Sequence, residues 1–184
     1  MKSDNQVAQV KRERGHGLAV LNEIFRAGAP PDPPLQGRYA GGLVALDIAP
    51  GLTQLVNAIV SAWSPWKGKT FDAARARGDN IFTRDSLPLT RVYWPLYRGD
   101  VNDGPETYRA FAFQTYLAPG LMDPDRHVLK IDYDLLENPA LSIRHVLDEL
   151  VQVEDGVYLG KAHVKWWWGR WQTVAYFTLS QGKA

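Results

Sequence analysis

Cysteine is absent from the chain, which excludes disulfides, zinc–thiolate centres and thiol nucleophiles and fits a reducing compartment. No stretch approaches the roughly 20 apolar residues that a membrane-spanning helix requires. The opening Met-Lys-Ser-Asp-Asn-Gln lacks the apolar run of a signal peptide, so the expectation is a cytoplasmic protein without a membrane span. An excess of either charge is missing as well. Twenty-one Lys and Arg stand against 20 Asp and Glu, a net charge of +1, and so weak a field gives no steering onto nucleic acid. There is no P-loop, no G-x-G-x-x-G and no G-x-S-x-G elbow. The four histidines, at 16, 127, 145 and 163, fall in no metal-ligand spacing, so no metal site is expected and no cofactor is indicated.

What the chain has in quantity is aromatic side chains: seven Trp, eight Tyr and six Phe in 184 residues. Such a set can fill a barrel or line an apolar cavity, and composition does not separate the two. The length suits one domain. Residues 1–15 are polar and aperiodic and read as a disordered lead-in, which leaves 16–184 as a single barrel-like domain.

Leu18, Leu21, Ile24 and Phe25 recur at helical spacing and end at Gly28, a residue suited to a left-handed C-cap. Four prolines between Pro30 and Pro34 then force an extended connector. Leu35 to Ile48 reads as a strand, with Gly37, Gly41 and Gly42 marking bends or close backbone approach. Leu52, Leu55, Val56, Ile59, Val60 and Trp63 form an apolar stripe that predicts a second helix, ended by Ser64-Pro65. From Trp66 the pattern turns to β, with strands expected over Trp66–Phe71, Asn80–Arg84, Leu89–Leu96, Tyr108–Leu117 and His127–Tyr133. Gly-Asp, Asp-Gly-Pro and Pro-Gly turns separate them, as in an antiparallel meander. Ile143, Val146, Leu147 and Leu150 predict a further helix over Ser142–Val151. Two strands, Val157–Trp166 and Trp171–Leu179, close the chain. The fold class is therefore mainly β with two or three amphipathic helices, an antiparallel barrel. An NTF2-like α+β cone, with a helix across an open curved sheet, is the alternative.

An eight-to-ten-strand barrel has room for one small ligand, and the inward candidates are Trp94, Phe111, Phe113, His127, Tyr133 and Tyr158. Acid–base chemistry in the same cavity would draw on His127 with Tyr133 or Asp132. Asp132 shares a face with Lys130, which points to a salt-bridged or solvated position. His163 alternates with Lys161 and Lys165, and all three are expected on the solvent face. The run Trp166-Trp167-Trp168-Gly169-Arg170-Trp171 either closes the barrel end as a hairpin or forms an aromatic lip for a ligand or partner.

Several fragments resemble a known family. Leu35-Gln36-Gly37-Arg38-Tyr39-Ala40-Gly41 after a short helix resembles the opening motif of GXWXG-type domains, with Tyr in place of Trp. Trp66-Lys67-Gly68-Lys69-Thr70-Phe71 resembles the W-x-G-K-x-F element that follows it there, and Tyr158–Lys161 with Ala175–Leu179 resembles its closing strands. The resemblance implies a lipocalin-like (calycin-like) barrel in which Tyr39 plugs the closed end, and it carries over no catalytic residue. The leading expectation is a binding protein holding a small apolar or amphipathic molecule in its interior. An isomerase, cyclase or hydratase on an apolar substrate is the first rival. An interaction or structural protein with a self-filled core, alone or as a homo-oligomer, is the second.

Overall fold

A computed structural model describes residues 16–46 and 65–181. The expected helix over Leu52–Trp63 and the lead-in over 1–15 lie outside the described residues.

Among the described residues, nine strands form one antiparallel sheet. They are β1 (Gly37–Leu46), β2 (Trp66–Asp72), β3 (Arg77–Thr83), β4 (Val101–Asn102), β5 (Thr107–Pro119), β6 (His127–Asp132), β7 (Val146–Glu154), β8 (Val157–Lys165) and β9 (Trp171–Gln181). Each long strand pairs with the next, β3 pairs with β5, and β9 returns to pair with β1. Eight strands therefore close into an up-and-down barrel, and the short β4 is an extra strand beside β5. Closure leaves no open concave face, so the cone reading falls.

Two helices are described: α1, over 16–27, and α2 (Leu87–Tyr93). Helix α1 lies on the outer face of the barrel, where Phe25, Leu18 and Leu21 join Val128, Val151, Leu159 and Tyr176 in a second apolar cluster. It ends at Gly28, whose N–H donates to Ile24 and Phe25 carbonyls at 3.1 and 3.2 Å. The expected left-handed cap is not what glycine supplies there. A Cβ at Gly28 would come within 2.7 Å of Val151 Cγ2, so glycine is needed to bring the helix end against β7. Gly41 does the work expected of a strand glycine, because a Cβ there would meet the Trp66 ring at 2.3 Å.

Two elements differ from expectation. Ser142–Val151 is a 3-10 turn (Ile143–His145) followed by strand β7, not a helix. Leu147 to Val151 are all buried because the barrel core covers one face of β7 and the α1 layer with the 119–126 loop covers the other. A strand buried on both faces reads as a continuous apolar run, which short-range periodicity does not distinguish from a helix. Leu89–Leu96, expected as a strand, lies mostly in helix α2, which carries Pro88 in its first turn, where the missing N–H costs nothing. Only Thr90 of this helix is buried, while Leu89, Val92 and Tyr93 are more than half exposed, and that weak apolar stripe hides the helix.

The barrel core is aromatic. Tyr39 packs edge-on against Phe71 (5.5 Å) and Tyr158 (5.6 Å) near the start of β1. Phe113 extends the stack from Phe71 to Tyr133. This part of the interior is filled by its own side chains.

Candidate functional site

Beyond that stack the interior opens into a cavity of about 120 Å³, flanked by Pro65 and Trp66 at the start of β2, by α2, and by Ile143 and Val146. Its apolar wall comes from Trp66, Phe82, Trp94, Phe111 and Phe177. Cavities of around 150 Å³ lined by apolar side chains admit a single aromatic ring, which sets the scale of what fits.

Four polar side chains meet at the wall of this cavity: Lys69 on β2, Asn80 on β3, Tyr133 just after β6 and Asp148 on β7. Lys69 and Asp148 form an ion pair at 2.9 Å, with side chains only 3% and 5% exposed. Lys69 Nζ also donates to Asn80 Oδ1 at 2.8 Å and contacts the Tyr133 hydroxyl. The Tyr133 hydroxyl donates to Asp148 Oδ2 at 3.1 Å, and Trp66 Nε1 donates to Asn80 Oδ1 at 3.1 Å. Four rings surround the ammonium, those of Trp66, Phe113, Tyr133 and Phe177, with centroids 5.1–5.5 Å from Nζ.

Burial lowers the Lys69 pKa from its ordinary value, and the Asp148 charge opposes that shift without cancelling it. Burial also raises the Tyr133 phenol well above its usual range, and the neighbouring Asp148 charge adds to the effect. One valence in the cluster is open. Asp148 Oδ1 is buried and has no hydrogen-bond partner, a costly state for a carboxylate oxygen.

The backbone beside the cluster is strained. Phe111 has φ +54°, a left-handed conformation that costs a non-glycine residue about 1–2 kcal/mol. It is held there from both sides. Its N–H donates to the Tyr97 hydroxyl at 2.6 Å and its carbonyl accepts from Asn80 Nδ2 at 3.1 Å. The register between β3 and β5 shifts at this point, and the resulting bulge lets Ala110, Phe111 and Phe113 all enter the core. Strain held by side-chain hydrogen bonds at a cavity wall is characteristic of ligand sites.

Of the residues expected to face a ligand, Trp94, Phe111 and Tyr133 line the cavity together. Phe113 packs behind Tyr133 at 5.5 Å, and Tyr158 lies against Tyr39; neither lines the cavity. His127 is exposed at the first residue of β6; it shares a strand face with Leu129 and Ile131, which lie deeper and reach the core, while His127 stays outside it. Asp132 points to the outer face, where it accepts from Gln114 Nε2 and Tyr116. The structure therefore does not bring His127 or Asp132 to Tyr133. His163, Lys161 and Lys130 are buried rather than solvated, because α1 and the 119–126 loop cover that face. Lys69, Asn80 and Asp148, the centre of the site, were missed from the sequence. Lys69 shares strand parity with inward Phe71, and that was the available signal.

No family model and no curated protein matches the chain. It is similar to a solved protein from Thermomonospora curvata, over 100% of both chains, with 16% identity and a TM-score of 0.51. A likeness at that identity bears on the fold alone.

Proposed function

We propose that the protein is a lipocalin-like binding protein that takes up a small, neutral, amphipathic molecule of about one ring, its apolar body among Trp66, Trp94 and Phe111 and its polar end at Asp148. The open valence of Asp148 Oδ1 is the observation that carries this reading. It calls for a ligand O–H or N–H, and the aromatic wall calls for an apolar body. Lys69 already balances the Asp148 charge, so a neutral donor suits the site better than a cation. Trp66 and Trp94 report on occupancy through their fluorescence. Benzyl alcohol is expected to bind at least about tenfold more tightly than toluene, because toluene leaves the carboxylate oxygen unpaired. Equal binding of the two, or binding of neither, contradicts the proposal.

A further inference from the structure

The cavity holds an amine as well as an acceptor. Lys69 Nζ stands at the cavity wall, almost fully removed from water, beside a carboxylate that can take its proton and a phenol that can return one. That is the set of groups a primary amine needs to condense with a carbonyl compound. The role of Lys69 goes beyond ligand binding at Asp148, though it rests on the cavity being a ligand site.

We infer that Lys69 forms a reversible imine with a small aldehyde carried on a single ring or short chain. In the first step Lys69 gives a proton to Asp148, and its nitrogen bonds to the carbonyl carbon while the carbonyl π pair moves to oxygen. That oxygen takes a proton from the Tyr133–Asp148 side of the cluster. The resulting carbinolamine hydroxyl is the donor that Asp148 Oδ1 lacks in the free protein. In the second step the nitrogen, positively charged after its attack, passes a proton by way of Asp148 to the hydroxyl; the C–O bond breaks as water leaves, and the nitrogen lone pair so freed closes the C=N bond. Ammonium plus aldehyde thus gives protonated imine plus water, with no net change of charge and no oxidant or reductant. Asp148 is the counter-ion at the start and at the end.

Three features favour the reaction at this lysine. Burial lowers its pKa, which raises the share of reactive free amine near neutral pH. The aromatic walls exclude the bulk water that reverses the reaction. The aldehyde's ring has a place to sit. Lys67, two residues earlier on the same strand, is exposed to water and does not line this cavity.

The test uses the intact protein with benzaldehyde and sodium cyanoborohydride near neutral pH, followed by mass mapping of the modified lysines. The expected result is a single reduced adduct on Lys69, formed at least about tenfold faster than at Lys67. Without the reductant, the tryptophan fluorescence change should reverse on dilution. Modification of exposed lysines with Lys69 untouched overturns the inference. If benzyl alcohol and benzaldehyde both bind but no Lys69 adduct forms, the imine fails and the binding reading stands. If neither compound binds, both fail. Asp148→Asn is expected to slow adduct formation about tenfold or more while Lys67 labelling is unchanged; equal slowing at both lysines counts against the role given to Asp148.

Discussion

Asp148 and Glu149 are neighbours on β7, and each is buried beside a lysine, yet their surroundings differ. Asp148 faces the barrel interior on the cavity wall, with one oxygen paired to Lys69 and the other buried without a hydrogen-bond partner. Glu149 faces the outer layer and pairs with Lys130. Its Oε1 also accepts from the Leu121 N–H at 2.5 Å, and its Oε2 lies 3.2 Å from His163 Nε2, close enough for an ion pair although out of hydrogen-bond alignment. His163 Nδ1 is in turn 3.1 Å from Thr173 Oγ1. A second outer lysine, Lys161, joins Asn22 of α1 to Asp123 of the 119–126 loop, both at 2.6 Å, and Arg26 of α1 grips Asp123 and Asp125. Glu149 does not line the cavity that Asp148 borders. The outer groups tie a helix and a loop to the barrel wall, whereas the inner groups line a cavity. Buried charge therefore divides by face: it fastens the outer layer and prepares a site within.

The largest loss is expected at Glu149. Glu149→Gln leaves Lys130 without its counter-charge in a closed site and is expected to cost about 3–5 kcal/mol in urea unfolding. Asp148→Asn is expected to cost less, about 1–3 kcal/mol, because Lys69 already has a lowered pKa and can shed its proton; a loss equal to that of Glu149→Gln would erase the distinction. Replacing the inner pair by Lys69→Met with Asp148→Leu should return stability to within about 2 kcal/mol of the parent while abolishing benzyl alcohol binding.

Acid sharpens the contrast further. Burial by itself would raise the Glu149 pKa, but His163, Lys130 and the Leu121 N–H outweigh it and bring it down to about 2 from an ordinary 4.5. A depressed carboxyl stabilises the fold fully above its unfolded value and loses that contribution as pH falls toward the folded one. Thermal unfolding should therefore show stability declining from about pH 4.5 toward pH 2, and in Glu149→Gln that part of the decline should vanish. The smallest effect is expected at the β8–β9 turn. There Trp166 and Trp168 stack at 5.0 Å while Trp167 is 88% exposed. Trp167→Ser should change stability by less than about 0.5 kcal/mol and leave cavity binding intact.

Much of the barrel was legible in the sequence because strands between Gly-Asp, Asp-Gly and Pro-Gly turns show their spacing without reference to the rest of the molecule. β5, β6, β8 and β9 fall within a few residues of expectation for that reason. β7 and α2 did not, since each depends on what covers it: β7 is buried on two faces and α2 on little more than Thr90. The misreading of β7 carried over to the site. Read as a strand, Val146–Glu154 places Asp148 on the same side as Leu150 and thus in the core, opposite the solvent-directed position a helix would give it. Tyr133, Trp94 and Phe111 stand out in the sequence as aromatics, while Lys69 and Asn80 are of residue types that are mostly exposed. Their burial follows from barrel closure, a long-range property that local pattern does not encode.

That closure has a consequence for how the chain comes to be folded. β9 sits between β8 and β1, pairing with Val157–Lys165 on one side and Tyr39–Leu46 on the other. While the protein is being made, β1 to β8 can form only an open sheet with two unpaired edges, and the ring is joined when the stretch to Gln181 has left the ribosome. Until then the edge of β1 is a template for any other strand nearby, so nascent chains stalled before Trp171 should be captured by chaperones, and chains released past Gln181 should not.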